Sequence, residues 1–600
     1  MKKIIITLIA LVCSCAAFAV PAWRGLIRYT QPDGSVIMLQ KHGDEFFHWT
    51  TTADGEIVEK DADGYWRPVN RESFNNRRKA AKARRTAVIR TRKAGEHIAI
   101  GQKHFLVILT EFSDVTFQSE TPKQDFYNLL NQNGYSANGG KGSARDFYYD
   151  NSHGIFEPIF DVYGPVKLDN PMSYYGGNTS SGDDKAPELA VKQTCQKLDS
   201  QVDFSKYDND GDGSVDLVFM YYAGYGEADS DEENSIWPHQ WSLSEAGTSL
   251  SLDNTSVDKY ACTNELVGYG GSAGKMCGIG TACHEFGHAM GLPDFYDTDY
   301  DTNGQAAAMF GFSVMDSGSY NDDGHTPPYF TTEERILLGW ITDDVFLDFT
   351  KSGMITLPSV NEHVAYRSPT DTEGEYFVYE CRGNNGWDAG LPAHGLIVTH
   401  VDKSSRKISI SNGESWKNVS AKTLWEEWET DNAINENGKH PCCYVVPAAD
   451  QSNLMFGYKY YSGYGYYYES VNDPKIPFPG STNTTTYIAR SWNEVDSEIS
   501  LSDIQYSNDQ VRFMVYVPSD ELDYTVISNP GNGVYAAGSM FDLSLEESEA
   551  RPAVSVEWYF DDEPVSGSSV LLRAGAHTVE AVITLDSGEI QTVTLELQAQ

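Results

Sequence analysis

Thr281-Ala-Cys-His284-Glu285-Phe-Gly-His288-Ala-Met-Gly291-Leu-Pro-Asp294 is the stretch on which the reading of this chain turns. On a helix, His284 and His288 are four residues apart, so their imidazoles stack on one face and can grip a single ion. Glu285 lies beside the first of them, where its carboxylate can take a proton from an attacking water. Gly291 lets the helix end in a sharp turn, and Pro293 forbids its continuation. That turn can swing Asp294 back as a third, oxygen donor. Three protein donors leave one position open, the pattern of a catalytic rather than a structural zinc. A chance His-Glu-x-x-His is expected roughly 0.02 times in a chain with this His and Glu content. The motif is specific.

Downstream, Gly311-Phe-Ser-Val-Met315-Asp-Ser-Gly-Ser-Tyr320 fits a tight turn that sets Met315 near the metal. A methionine in such a run is more often plain core; its place after a long metal motif gives it a second meaning. In that order and separation the chain resembles the metzincin metalloproteases, and among them the M6 family typified by immune inhibitor A. The likeness continues through Phe105-Leu-Val-Ile-Leu-Thr-Glu-Phe-Ser-Asp114, Gly142-Ser-Ala-Arg-Asp-Phe-Tyr148 and Val162-Tyr-Gly-Pro-Val166. It extends through Ile236-Trp-Pro-His-Gln-Trp241, Leu338-Gly-Trp340, Gly395-Leu-Ile-Val-Thr-His-Val-Asp402 and Phe478-Pro-Gly480, covering roughly 96–518. The resemblance implies a secreted zinc endopeptidase, made as a zymogen, with protein or peptide substrates. Tyr320 is the candidate transition-state donor.

The chain has 600 residues, more than one hydrophobic core usually organises. Its net charge of −42 argues against nucleic acid as a partner. Residues 1–95 run against that trend, with a local excess of +8. Met1–Ala19 reads as an export signal: Lys2 and Lys3, an apolar run from Ile4 to Val12, and a small-x-small site at Ala17-Phe-Ala19. Cleavage after Ala19 predicts a secreted protein; the competing reading is an outer-membrane lipoprotein anchored at Cys15. No later run reaches 18 apolar residues, so no integral span is expected.

Residues 20–95 form the expected pro-segment. Short strand-like pieces are punctuated by Asp33-Gly34, Asp54-Gly55 and Asp63-Gly64, and Arg67 to Lys93 then carries eleven basic residues against the single acid Glu72. Such a stretch reads as an exposed, protease-accessible linker, or more blandly as a solvated basic helix. Residues 96–345 are the expected α/β metzincin-like zinc protease domain, 346–518 a β-rich domain packed on it, and 519–600 a small immunoglobulin-like β-sandwich. Thr331-Thr-Glu-Glu334 is a capping box for a helix that stops at Gly339. Seven cysteines follow the signal, without a CxxC unit, so a thiolate-bound metal is not expected, and an oxidising compartment leaves room for one or two disulfides whose pairing the sequence does not give.

Asp208, Asp210, Asp212 and Asp216 stand at positions 1, 3, 5 and 9 of a loop with Gly213 at 6, the pattern of a calcium loop, though Phe219 replaces the closing Glu. Asp297, Asp299, Asp301 and Asn303 suggest a second such loop with its glycine out of register. Gly270-Gly-Ser272-Ala-Gly274 satisfies a serine-hydrolase pattern, but it sits in a Gly-rich stretch from Gly268 to Gly280 that leads into the zinc helix rather than in an elbow between a strand and a helix. His400 and Asp402 alternate with apolar residues and read as structural. Trp425 and Trp428, and the Tyr-rich run 458–468, are either a binding surface or core. The competing function is a non-catalytic, metal-containing surface adhesin or binding protein. Glu285 speaks against it, because a structural ion has no use for a neighbouring base.

Overall fold

The computed structural model describes residues 20–44, 47–69, 73–78, 99–179, 182–230, 232–298, 308–411, 416–428, 432–449, 458–461, 465–468, 475–518, 524–526, 534–547, 553–585 and 590–600. The signal, most of the basic linker, and Asp299, Asp301 and Asn303 lie outside the described residues.

Gly101–Glu111 sits inside a five-stranded sheet, flanked by Phe156–Lys167 and Val218–Tyr225; Lys259–Leu266 and the edge strand His239–Ser242 complete it. The first four strands are parallel and the edge is antiparallel. A parallel strand in mid-sheet is covered on both faces, which is why Phe105 to Leu109 read as an unbroken apolar run and are all essentially unexposed. Strand alternation divides the work. Leu106 and Ile108 join the core shared with Ala190, Val191, Cys195 and Leu198 of the helix Pro187–Leu198. Phe105 and Val107 face the other way, onto the helix Gly280–Met290: Phe105 meets Phe286 edge-on at 4.6 Å, and Val107, Ala282 and Phe286 line one small cavity. Phe160 and Tyr148 close around the same ring. Full burial of Phe286 contributes about 2–3 kcal/mol and fixes the height of the metal motif above the sheet.

Residues 26–68 form a separate antiparallel meander of five strands in sequence order, with Ile27, Leu39, Val58 and Trp66 as its core. Its turns are made by Gly34, Gly55 and Gly64, each at φ of 82–85°, a conformation that favours glycine.

By compactness the chain falls into two units. One holds the described residues up to 349, with 354–497 and 501–514; the other holds 350–353, 498–500 and 515–600. Residues 96–345 and most of 346–514 thus share a unit, and buried polar contacts show why. Glu380 accepts from both the N–H (2.7 Å) and the hydroxyl (2.6 Å) of Thr332, at the start of the capped helix Thr332–Leu337. Arg382, wholly buried, pairs with Asp388 at 2.7 Å and donates to the carbonyls of Phe312 and Tyr329. His400 is held by Glu375 and Tyr444, and Asp402 by His440, a polar network inside the sheet. Trp425 and Trp428 are buried, so they serve as core. In the second unit, Ala553–Phe560, Gly575–Leu585 and Ile590–Ala599 pair antiparallel, and Val579, Ala581, Ile583 and Leu585 alternate into its core. Among the described residues no helix is long and apolar enough to cross a membrane.

Candidate metal centre and catalytic cleft

The helix Gly280–Met290 delivers both imidazoles inward, and Gly291 ends it at φ 110° as the turn requires. His284 Nδ1 donates to the Val314 carbonyl (2.7 Å) and His288 Nδ1 to that of Leu292 (2.8 Å). A carbonyl only accepts, so each Nδ1 carries the hydrogen and each Nε2 presents a lone pair. These Nε2 atoms lie 3.1 Å apart, and Asp294 Oδ1 lies 3.2 and 3.3 Å from them. The three donors are unexposed, and Asp294 Oδ1 accepts no hydrogen bond. Zinc bonds of about 2.0–2.1 Å in a tetrahedron give donor–donor edges of about 3.3 Å. The residues present therefore fit a zinc-sized cation. Burial pushes the Asp294 carboxyl up, but the two imidazoles outweigh it and hold it well below its ordinary range.

Met315 lies directly beneath the helix: a Cβ on Gly287 would come within 2.6 Å of its sulfur. The turn carrying it serves the donors through its backbone, since Val314 orients His284 and the Met315 carbonyl receives the Phe295 N–H at 2.9 Å. Asn432 is a participant that sequence reasoning missed. Its side chain donates to Asp294 Oδ2 (2.6 Å) and accepts from the Asp294 N–H (3.0 Å).

Glu285 is fully buried beside this cluster. Burial, with the Asp294 charge added, raises its carboxyl well above the ordinary range. Oε2 has no hydrogen-bond partner, while Oε1 accepts the backbone N–H of Val20 at 2.9 Å. The N-terminal segment thus reaches Glu285 itself. Trp237 Nε1 donates to the Val20 carbonyl (3.1 Å), Tyr320 Oη to that of Pro21 (2.9 Å), and Trp23 N–H to that of Ala228 (3.0 Å). Trp23 stacks on Tyr269 at 4.0 Å, and Arg24 pairs with buried Asp316 at 3.3 Å. Tyr320, the expected donor, therefore lines the cleft with its hydroxyl directed at the segment's backbone.

Of the four carboxylates expected to share a calcium ion, Asp208, Asp210 and Asp212 lie together, but Asp216 does not join them. Asn209 claims Asp216 Oδ2 with both its N–H (3.1 Å) and its side-chain amide (2.7 Å). Asp208 accepts the N–H groups of Gly211, Asp212 and Gly213, so the loop folds onto its own first residue. Ser272 lies in a short turn with its hydroxyl on Asp323, away from any strand-to-helix elbow. The seven described cysteines are all unpaired as disulfides.

Residues 98–335 match the immune inhibitor A peptidase M6 catalytic domain. Over 215 residues the chain is 26% identical to immune inhibitor A of Bacillus thuringiensis subsp. alesti, a match covering 32% of this chain and 31% of that protein. Over 218 residues it is 26% identical to the pre-pro-metalloprotease PrtV of Vibrio cholerae serotype O1, covering 32% and 23%. The matched part is thus about a third of these relatives or less. A solved structure of OgpA from Akkermansia muciniphila aligns with 84% of this chain and 98% of its own at 8% identity and a TM-score of 0.21, too loose to define a shared fold. The domain at 98–335, which contains the His284–Glu285–His288 helix, is thus similar to the catalytic domain of the M6 metalloproteases.

Proposed function

We propose that the chain is an exported, zinc-dependent endopeptidase acting on extracellular proteins, held latent by its own N-terminal segment. The observation that carries the reading is Glu285, a buried carboxylate with one unpartnered oxygen beside three convergent donors. His284, His288 and Asp294 would hold the ion. Zinc bound there supplies Lewis-acid polarisation of the scissile carbonyl and a lowered pKa for water. Glu285 takes the proton from the attacking water and passes it to the leaving nitrogen. Its apolar, water-poor surroundings favour the protonated form, which suits the second of those transfers. Tyr320 is placed to donate to the developing oxyanion once the Pro21 carbonyl has left its hydroxyl.

The N-terminal residues support latency: while Val20 occupies Glu285 and residues 20–23 run through the cleft, a substrate cannot approach the base. Cutting within 67–93 would free the segment. Residues 346–518 and 519–600 are read as accessory β domains, the last as an immunoglobulin-like spacer. The Asp208–Asp212 loop is read as a calcium site of three carboxylates, tested by melting in excess calcium against a calcium-selective chelator. The decisive experiment for the enzyme is Glu285→Gln in the full chain, nicked in the basic stretch. Retained metal with hydrolysis lost supports the base; undiminished turnover favours the adhesin reading.

A further inference from the structure

We infer that the cleft contains a carboxylate-lined subsite, built on Glu227 and Asp229, that selects substrates carrying a Lys or Arg side chain close to the cleaved bond. This rests on the protease reading and adds a substrate class to it. The N-terminal segment lies along the cleft as an extended peptide would, held through main-chain groups at Val20, Pro21 and Trp23. Trp23 docks on the carbonyl of Ala228, three residues from the contact with Glu285. An extended chain advances at most about 3.3–3.6 Å per residue, so with the hydrogen bonds at either end the Ala228 carbonyl lies within about 17 Å of Glu285.

The two neighbours of Ala228 are Glu227 and Asp229, only 1% and 6% exposed. Buried carboxylates need cations or hydrogen-bond donors beside them. The cations that act on them here come from the N-terminal meander. His48 Nε2 lies 3.0 Å from Glu227 Oε1, and the buried Lys41 ammonium favours the ionised forms of Glu227 and Asp229. Even so, Glu227 Oε2 and Asp229 Oδ1 have no hydrogen-bond partner. Asp229 also lines a small cavity together with Tyr320 and Thr281, the latter one helical turn before Glu285. Lys41 and His48 belong to the segment that must leave for the cleft to open. Once they have gone, Asp229, which lines that cavity, and the buried Glu227 two residues before it are left without these cations, and a basic substrate side chain restores the pairing that a neutral one cannot.

The test uses the full chain with Lys41→Gln, which removes one of the segment's cations and leaves both subsite carboxylates in place. Paired fluorogenic peptides differ only in Lys or Gln, moved through the three positions on either side of the bond. We expect kcat/KM to favour Lys at least tenfold at one position. Adding Asp229→Asn or, separately, Glu227→Gln should bring that ratio within twofold, with melting and metal content showing that each variant is folded. A ratio near one with Lys41→Gln alone, or a ratio that survives both carboxylate substitutions, overturns the subsite. If no peptide is cut, equilibrium binding of the same labelled pairs reads the preference directly. A tenfold binding bias would then sustain the subsite and sink only the protease reading; equal binding would sink the subsite.

Discussion

Asn432 grips Asp294 at both ends, donating to its carboxylate at 2.6 Å and accepting its backbone N–H at 3.0 Å. The third candidate donor is thereby aimed by a residue 138 positions further along the chain. The Asn432 carbonyl is in turn fixed by the Thr298 hydroxyl at 2.7 Å. Partners that orient a metal-binding carboxylate typically matter 10–100-fold in affinity. We expect Asn432→Ala to weaken zinc binding by about that factor, read by competition with a chelator of known affinity. Unchanged affinity would reduce Asn432 to a packing residue.

Gly287 has a separate role on the same helix. A methyl group there would sit 2.6 Å from the Met315 sulfur, and Met315 is itself wholly buried. Its thioether can turn, but the packed core gives it little space to turn into. Overpacking of this kind costs about 1–3 kcal/mol. Gly287→Ala should lower the thermal midpoint and shift His288, its next neighbour, enough to reduce activity as well. A midpoint equal to the parent's would mean that Met315 relocates freely.

Asp229 gives a pH signature. Burial raises its carboxyl from 3.8 to about 7, against the hydrogen bond from Gly268 and the Lys41 charge, which lower it. The groups facing it are Lys41, Asp323 and Tyr269. Because the folded-state value lies above the unfolded one, the unfolded chain releases this proton first. Stability falls as pH rises from about 4 and levels off above about 7, by at most about 4 kcal/mol. Asp229→Asn should raise the melting midpoint at pH 8 and leave it nearly unchanged at pH 4. Equal effects at both would show that Asp229 ionises normally.

What could be read without the structure is what local spacing controls. The helical interval of His284 and His288, the turn at Gly291, the capping box at Thr331 and Glu334, and the Asp-Gly turns of the meander are all set by residues within one or two turns of each other. Asn432 and Val20 gave no such signal, because each meets the metal helix across more than 100 residues of chain. The docking of Arg382 under Phe312 and Tyr329 was hidden for the same reason. Asp216 stands at position 9 of the loop pattern, but its Oδ2 is held by the Asn209 N–H and amide, a pairing that the spacing of the acids does not show.

The last prediction concerns the latch. Trp23 lies flat on Tyr269, and Arg24 reaches Asp316, yet neither touches the metal donors or Glu285. A stacked aromatic pair adds about 0.5–1.5 kcal/mol beyond its buried area. The Arg24 pair, with the guanidinium about a third exposed, adds no more than about 1 kcal/mol after solvent screening. Removing both should weaken the hold on the cleft by about 1–2 kcal/mol, a factor of roughly 5–30 in the open population. In the uncut full chain, Trp23→Ala with Arg24→Ala should therefore raise basal peptide hydrolysis by that factor. After nicking in the basic stretch, the difference from the parent should vanish, because the segment then leaves both proteins. Basal rates that do not move would mean that the grip on Val20, Pro21 and Trp237 suffices alone. A lower rate after nicking would instead mark Trp23 and Arg24 as supports of the catalytic fold rather than its latch.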